Sequence, residues 1–272
     1  MLGWVRFASM NTAITGLHSE LGAILAQRVA ASAIQKVHFN VVGQQANSLL
    51  HDGHAWEDFP HKVLAGTRRA LQAAHAAKAQ MLVHASFAFV HAFEEGARQR
   101  EPLRASVQAL LACEKLVLSG PVPACVVRLG YLYGPDSADL RAYRSAFRIG
   151  RPYWSGRPQA LQYHLHQADA VSALLRAASP HNADKTFYAT DGLPVSFTDM
   201  MDAFAHRVGR ASPLHLPLCL RPLAHLVIRE EHMQQTALSM PPDAPRPNVP
   251  RWKPKFADCR LGLDQVVTTW DN

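Results

Sequence analysis

Residues 125–135 read CVVRLGYLYGP and carry the side chains best placed to bind a ligand. A β-branched run leads into Arg128, and the chain turns at Gly130 and stops at a Gly-Pro pair. This is the pattern of a buried parallel strand that ends in a loop, and open α/β sheets bind ligands at such strand ends. Arg128 either contacts the ligand or pairs with a carboxylate. Tyr131 and Tyr133 either contact the ligand or pack.

Fifteen histidines and four cysteines raise the questions of metals and disulfides. The closest histidine pairs, His51 with His54 and His164 with His166, have no Cys, Asp or Glu nearby at zinc-like spacing. We therefore expect no metal site. The cysteines lie far apart and form no CxxC pair, so we expect reduced thiols and a cytoplasmic location.

Composition narrows the class of partner. The chain has 272 residues, 48% hydrophobic and 18% charged, as an ordinary globular protein does. The formal charge of +7 permits an anionic ligand, but the basic residues are scattered rather than clustered. No apolar stretch reaches the ~18 residues of a spanning helix. We expect a small-molecule ligand, no nucleic acid and no membrane, with a homo-oligomer left open.

The order of elements predicts the fold. Residues 37–43, 80–89 and 125–133 read as buried strands, and residues 60–78, 101–118, 167–178 and 196–208 as helices. Strands that alternate with helices favour βαβ units and a mostly parallel sheet. Residues 4–8 and 18–33 are expected to form one further strand and one further helix.

Six segments, taken in order, resemble motifs of the extended short-chain dehydrogenase/reductases, the NAD(P)-dependent epimerase/dehydratase family. The 125–135 segment resembles RPxxxYGP, and residues 82–90 (LVHASFAFV) resemble VYVSSxxVYG. The others are VHFNVVG at 37, GT at 66, YHLHQADAVSALL at 163 and FYATDGLPVS at 187. The resemblance implies an α/β Rossmann-like sheet with helices on both faces and a small C-terminal substrate lobe. We expect a Rossmann-like domain at 1–180 and the lobe at 181–272, interleaved.

The resemblance also implies site residues. The family's catalytic serine falls on Ser86, and its cofactor contacts on Val41, Arg128 and Gly130. Substrate contacts fall on Tyr131, Tyr133 and His166. The implied cofactor is NAD or NADP.

Three departures from the family pattern limit the expectation that the chain binds NAD(P) and performs the family's chemistry. The GxxGxxG turn is not found at its spacing, and too few residues precede residue 37 for a complete nucleotide-binding half. The catalytic YxxxK is gone, since the tyrosine position is Ser106 and the lysine position is Leu110 if Glu114 marks the register. The strand arginine is followed by Leu129 instead of proline. We expect cofactor binding to be weak or lost.

The sequence is compatible with two functions. One is an oxidoreductase on a nucleotide-sugar or related alcohol, impaired in that chemistry. The other is a non-catalytic binding or scaffold protein that keeps the fold. A third interpretation is that the chain is an N-terminally incomplete form of a longer protein. If the first strand is missing, residues 37–43 become an exposed sheet edge, and we expect residues 4–8 to pair with them.

Overall fold

The computed structural model describes residues 4–7, 12–47, 58–94, 103–150, 160–212 and 246–271. Its described strands are β1 (Trp4–Phe7), β2 (Thr12–Thr15), β3 (Val37–Asn40), β4 (Met81–Phe87), β5 (Ala124–Leu129), β6 (Tyr131–Tyr133), β7 (Leu161–Gln162), β8 (His164–His166), β9 (Thr186–Ala189) and β10 (Val195–Ser196). Its described helices are α1 (Glu20–Ala30), α2 (Phe59–Ala76), α3 (His91–Glu94), α4 (Leu103–Leu118), α5 (Ala138–Arg148), α6 (Gln167–Ala177), α7 (Phe197–Arg207) and α8 (Cys259–Asp271).

The central sheet has the strand order β1-β2-β3-β4-β5-β9. From β2 to β9 all neighbours are parallel, and β1 alone runs antiparallel, beside β2. Two small sheets lie outside it, a parallel pair β6–β8 and an antiparallel pair β7–β10. The expected α/β Rossmann-like architecture is confirmed.

Successive side chains of each strand point to opposite faces of the sheet, so the apolar core lies in two layers, one on each face. In β4, Met81, Val83 and Ala85 pack with the buried faces of α1 and α6, whereas Leu82 packs with residues of α2 and α4. All seven residues of β4 are buried. Burying each large apolar side chain contributes roughly 1.5–3 kcal/mol. A one-residue shift in register would turn every side chain of β4 to the opposite face of the sheet, so both buried layers would have to repack.

The lobe has a core of its own. Helices α5, α7 and α8 pack around Phe147, Phe204 and Leu263, all of them buried. Ser196 caps α7, accepting from the Asp199 N–H at 3.0 Å, while its hydroxyl donates to the Asp199 carboxylate at 2.7 Å. Since α5 precedes and α7 follows β9, the lobe and the sheet are interleaved along the chain.

The expected N-terminal pairing is wrong in its details. The strand that pairs with β3 is β2, in parallel with Ala13 opposite His38, and residues 4–7 lie one position further out. The sequence missed β2 because the four-residue segment TAIT has no long apolar run. With β2 and β4 on either side, β3 is not an edge strand.

The first strand of the sheet, which the sequence left in doubt, is present as β2. Residues 12–47 are fully described, and in them β2, α1 and β3 form one strand–helix–strand unit. Helix α1 ends at Ala30 and β3 begins at Val37, which leaves no room for the second and third βα units of a 3-2-1-4-5-6 sheet. The antiparallel β1 lies where the second strand would be.

Candidate functional site

A tight turn joins β2 to α1 at the carboxyl end of the sheet. Gly16 has φ +99°, and a Cβ there would lie 2.7 Å from the carbonyl carbon of Val41. A Cβ on Gly22 would lie 2.3 Å from the Gly16 carbonyl oxygen. Gly16 and Gly22 thus occupy the first and third positions of GxxGxxG, with Ser19 in the middle. The expectation that no glycines keep that spacing is wrong, and the Thr-Gly pair after β2 was the signal that was missed.

Ser19 and Glu20 supply the polar side chains of this turn. The Ser19 hydroxyl donates to the Gly16 carbonyl at 2.8 Å and accepts from the Gly22 N–H at 3.0 Å, which caps α1. The Glu20 carboxylate accepts from the Ala138 N–H at 2.8 Å and from the Gln167 side chain at 2.9 Å. Burial raises the pKa of Glu20. Its negative charge opposes the anion that a helix N-terminus otherwise attracts.

These residues fit one half of a dinucleotide. Gly16, Gly22 and the start of α1 have the backbone geometry of a pyrophosphate-binding turn. Val41, where the family resemblance implies a cofactor contact, packs its backbone against Gly16 and donates its N–H to the Thr15 carbonyl at 2.9 Å. The acidic residue that would bind the adenosine ribose follows a second parallel strand. In residues 12–47 the strand parallel to β2 is β3, and residues 41–47 after it contain no Asp or Glu, so this segment does not fit the adenosine half.

The positions of the family's catalytic serine, tyrosine and lysine are filled by the buried residues Ser86, Ser106 and Leu110. Ser86 is completely buried, and its hydroxyl has no hydrogen-bond partner among the described residues. Ser106 and Leu110 on α4 are 0% and 1% exposed. Leu110 belongs to the apolar cluster of Val63 and Phe87. No phenol or ammonium therefore stands at the Ser106 and Leu110 positions.

Arg128 forms the main charged cluster of the site. Its guanidinium donates to Glu114 at 2.7 Å, to Glu94 at 2.8 Å and to the Tyr188 hydroxyl at 2.6 Å. Burial alone would lower the pKa of Arg128, but the bonds to the two carboxylates outweigh it and raise that pKa. A cleft of about 590 Å³ lies over the cluster, between α4 and β9. Of the two roles open for Arg128, the structure shows the pairing with carboxylates.

Aromatic rings line the carboxyl ends of β4 and β5. Phe89 lies 5.2 Å from Phe87 and 6.4 Å from Phe93 between ring centroids. On its other side it stacks with Tyr131 at 5.9 Å and 15°. Tyr131 in turn lies 6.2 Å from the His164 ring. We call Phe87, Phe89, Phe93 and Tyr131 the aromatic row. The sequence identified only Tyr131 of this row, because the phenylalanines read as ordinary strand residues.

The remaining candidate residues lie around β6 and β8. A Cβ on Gly130 would lie 2.8 Å from the His164 carbonyl oxygen, so glycine lets the two small strands approach. Tyr133 is buried in the lobe core and meets His166 edge-on at 5.3 Å. His166 accepts from the Ala168 N–H at 3.2 Å, capping α6, and its other ring nitrogen bonds the Gln265 side chain at 3.0 Å. Tyr133 therefore packs within the core formed by α5, α7 and α8, whereas Tyr131 packs against Phe89 of the aromatic row.

Comparison with known proteins places this geometry in a family. No protein-family model matches the chain, and among the described residues no helix is long and apolar enough to span a membrane. A curated relative, the 3-diazoavenalumate denitrifying reductase of a Streptomyces species, is 32% identical over 216 residues, 73% of this chain and 68% of the relative.

Solved structures agree in fold over almost the whole chain. RMD from Pseudomonas aeruginosa, complexed with NADPH, is 17% identical with a TM-score of 0.64, covering 95% of this chain and 97% of that one. The dTDP-glucose 4,6-dehydratase of Bacillus anthracis, in complex with NAD, is 14% identical with a TM-score of 0.64, covering 96% of both chains. With the curated relative matched over two thirds of its length, the chain belongs to the NAD(P)-dependent epimerase/dehydratase family of the extended short-chain dehydrogenase/reductases.

Proposed function

We propose that this chain is a reductase of an aromatic acid that carries a leaving group, and that it does not perform the family's alcohol chemistry. The observation that carries the proposal is the burial of Ser106 and Leu110 in the apolar packing of α4. Interconverting an alcohol and a carbonyl requires proton transfer at oxygen, for which the family uses a tyrosine beside a lysine. A buried serine beside a leucine cannot supply that proton at neutral pH.

The substrate named for the curated relative can be reduced without proton transfer at an oxygen atom. The relative's name describes a reductase that removes nitrogen from a diazo-substituted carboxylate. When bound, reduced NAD(P) supplies the hydride that replaces the diazo nitrogen on the aromatic carbon, N2 leaving with the C–N bonding electrons and no proton being needed. The loss of the tyrosine and lysine is compatible with that chemistry.

The chain's own residues have separate tasks in this proposal. Gly16 and the first N–H groups of α1 would hold the pyrophosphate of the cofactor. The two partly exposed members of the aromatic row, Phe93 and Tyr131, offer ring faces on which an aromatic substrate can stack, each such contact contributing about 0.5–1.5 kcal/mol. Leu110 and Phe87 keep the neighbouring strand ends apolar and exclude water.

The test is transfer of an isotopic label. The chain is incubated with NADPH or NADH deuterated at the hydride carbon and with 3-diazoavenalumate, the compound in the relative's name, and the product is examined by mass spectrometry. We expect one deuterium in the arene, and no reaction with nucleotide-sugars under the same conditions. Gly16→Ala, with a melting curve to confirm folding, is the control that should lose the label. Turnover of a nucleotide-sugar, or no label transfer from either cofactor, would overturn the proposal.

A non-catalytic binding protein is the second candidate, and Glu20 is the observation that favours it. Its carboxylate lies in the first turn of α1, beside the turn that would hold the pyrophosphate. Residues 12–47 also lack the acidic residue that would bind the adenosine ribose. Calorimetric titration with NAD(H) and NADP(H) separates the two candidates. Affinity in the micromolar range supports the reductase, and no detectable heat with a folded chain supports the binding protein.

A further inference from the structure

Several buried polar groups beyond the end of β9 have no partner among the described residues. Thr190 and Asp191 are 1% and 3% exposed, and neither the Thr190 hydroxyl nor either Asp191 carboxylate oxygen is hydrogen-bonded. The Nε2 atom of His164 and the hydroxyl of Tyr131 are also buried and unpartnered. Native proteins satisfy nearly all such groups, so each exception calls for a ligand, a water or a chemical role.

The backbone brings these groups together at the carboxyl edge of the sheet. The Asp191 N–H donates to the His164 carbonyl at 2.8 Å, and the Gly130 N–H donates to the Ala189 carbonyl at 2.9 Å. In the β6–β8 pair, Tyr131 lies directly opposite His164. The group thus borders the aromatic row at Tyr131, where the substrate ring is proposed to stack.

Electrostatics decide what kind of ligand atom this group suits. Burial raises the pKa of Asp191 to about 8, although the nearby Leu193 N–H offsets part of that rise. The other titratable groups that face Asp191 are Asp258 and Cys259 at the start of α8 and Tyr133 on β6. Burial lowers the pKa of His164 to about 4. At pH 7 the carboxylic acid of Asp191 and the hydroxyls of Thr190 and Tyr131 therefore present O–H donors, and the His164 imidazole is uncharged.

We propose that Asp191, as the neutral carboxylic acid, donates a hydrogen bond to a carboxylate oxygen of the aromatic substrate, in a subsite completed by Thr190, His164 and Tyr131. A buried carboxylic acid that stays protonated acts as a donor of this kind. The inference rests on the proposed function for the class of substrate, an aromatic carboxylate. It assigns a recognition role to a residue outside the turn and the aromatic row.

The test is the pH dependence of binding, measured by calorimetry with cinnamate from pH 6 to pH 9.5. One proton held in the complex makes the affinity fall about tenfold per pH unit once Asp191 ionises. Asp191→Asn keeps a donor that does not titrate, so its cinnamate affinity should not fall over this range. Cinnamamide should bind the wild-type chain equally across the range, because ionised Asp191 accepts from the amide N–H. Asp184→Asn, an exposed aspartate at the other end of β9, is the matched control that should behave as wild type.

Two further readouts keep the inference separable from the proposed function. Infrared spectroscopy of the wild-type chain at pH 7 should show a protonated carboxyl band that Asp191→Asn lacks and that shifts when cinnamate binds. A chain without reductase turnover that shows this band and this pH profile would refute the proposed function and leave the subsite standing. Identical pH profiles of the wild type and Asp191→Asn, or a band that does not respond to cinnamate, would overturn the subsite, whatever the turnover.

Discussion

Glu20 determines how well the turn after β2 tolerates an anion. Its carboxylate connects the starts of α1, α5 and α6 through the Ala138 N–H and the Gln167 amide. Glu20→Gln keeps an oxygen for the Ala138 N–H and removes the charge. A charge at a helix terminus contributes about 0.3–1 kcal/mol, so we expect the affinity for NAD(P)H to rise about two- to fivefold. Calorimetric titration measures it, with Asp184→Asn as the matched loss of a distant charge. An unchanged affinity would show that Glu20 does not face the bound anion.

Leu110 shows why the lost catalytic pair cannot be restored by substitution alone. It is 1% exposed and packs against Val63 and Phe87. An ammonium at this position would have no carboxylate assigned to it, since Glu114 is already bonded to Arg128. Leu110→Lys should therefore destabilise the chain by roughly 3 kcal/mol or more, in the double variant with Ser106→Tyr as well. Leu110→Met should cost less than about 1.5 kcal/mol. Equal denaturation midpoints for the two single variants would contradict this.

At the level of elements, the periodic spacing of apolar residues along the sequence predicted the strands and helices that contain long apolar stretches. Residues 80–89 and 101–118 were predicted close to the observed β4 and α4 because seven and sixteen consecutive residues carry the pattern. The pattern failed at β2, where only two apolar residues, Ala13 and Ile14, stand between two threonines. The glycine turn was missed for a related reason, since Ser19 interrupts the motif and its hydroxyl supplies a helix cap. The clustering of Arg128 with Glu94 depends on long-range packing that no local pattern reveals.

The position of β2 inside the sheet gives a prediction about its side chains. Ile14 is completely buried and packs with the core shared by α1 and α6. Ile14→Ala should lower the free energy of unfolding by about 2–5 kcal/mol, the usual cost of an isoleucine cavity. Ile149, which is 78% exposed, is the matched control, and Ile149→Ala should change stability by less than about 0.5 kcal/mol. Denaturant titration of both variants checks this, and a small effect at Ile14 would mean that β2 does not hold the sheet together.

For the molecule as a whole, buried titratable groups set the pH range in which the fold is stable. Burial lowers the pKa of His38, His84 and His164 to about 4. His38 bonds the Thr15 hydroxyl at 2.8 Å, and the Nδ1 atom of His84 meets the Asn40 amide at 2.9 Å. An unfolded histidine has a pKa of about 6.5. Between pH 4 and 6.5 the unfolded chain therefore binds up to three more protons at these sites, and stability falls as the solution becomes more acid.

Asp191 acts in the opposite direction over a higher range. Its pKa is about 8 in the folded chain and about 4 when unfolded, so between these values the folded chain holds the extra proton. Stability from this group is greatest at low pH and decreases as the pH rises towards 8. Below pH 6.5 the three histidines outweigh the single aspartate, and between pH 6.5 and 8 Asp191 opposes folding as it ionises. Nearer pH 9 the buried thiols of Cys113, Cys125 and Cys259 add to the decline, because burial raises their pKa. We therefore expect maximal stability near pH 6.5, measured by denaturant unfolding from pH 4.5 to 9. Asp191→Asn should remove the decline between pH 6.5 and 8 and steepen the fall on the acid side, because the folded-state proton that partly offsets the histidines is lost. A stability that rises steadily to pH 9 in the wild-type chain would show that Asp191 is ionised and solvated in the folded state.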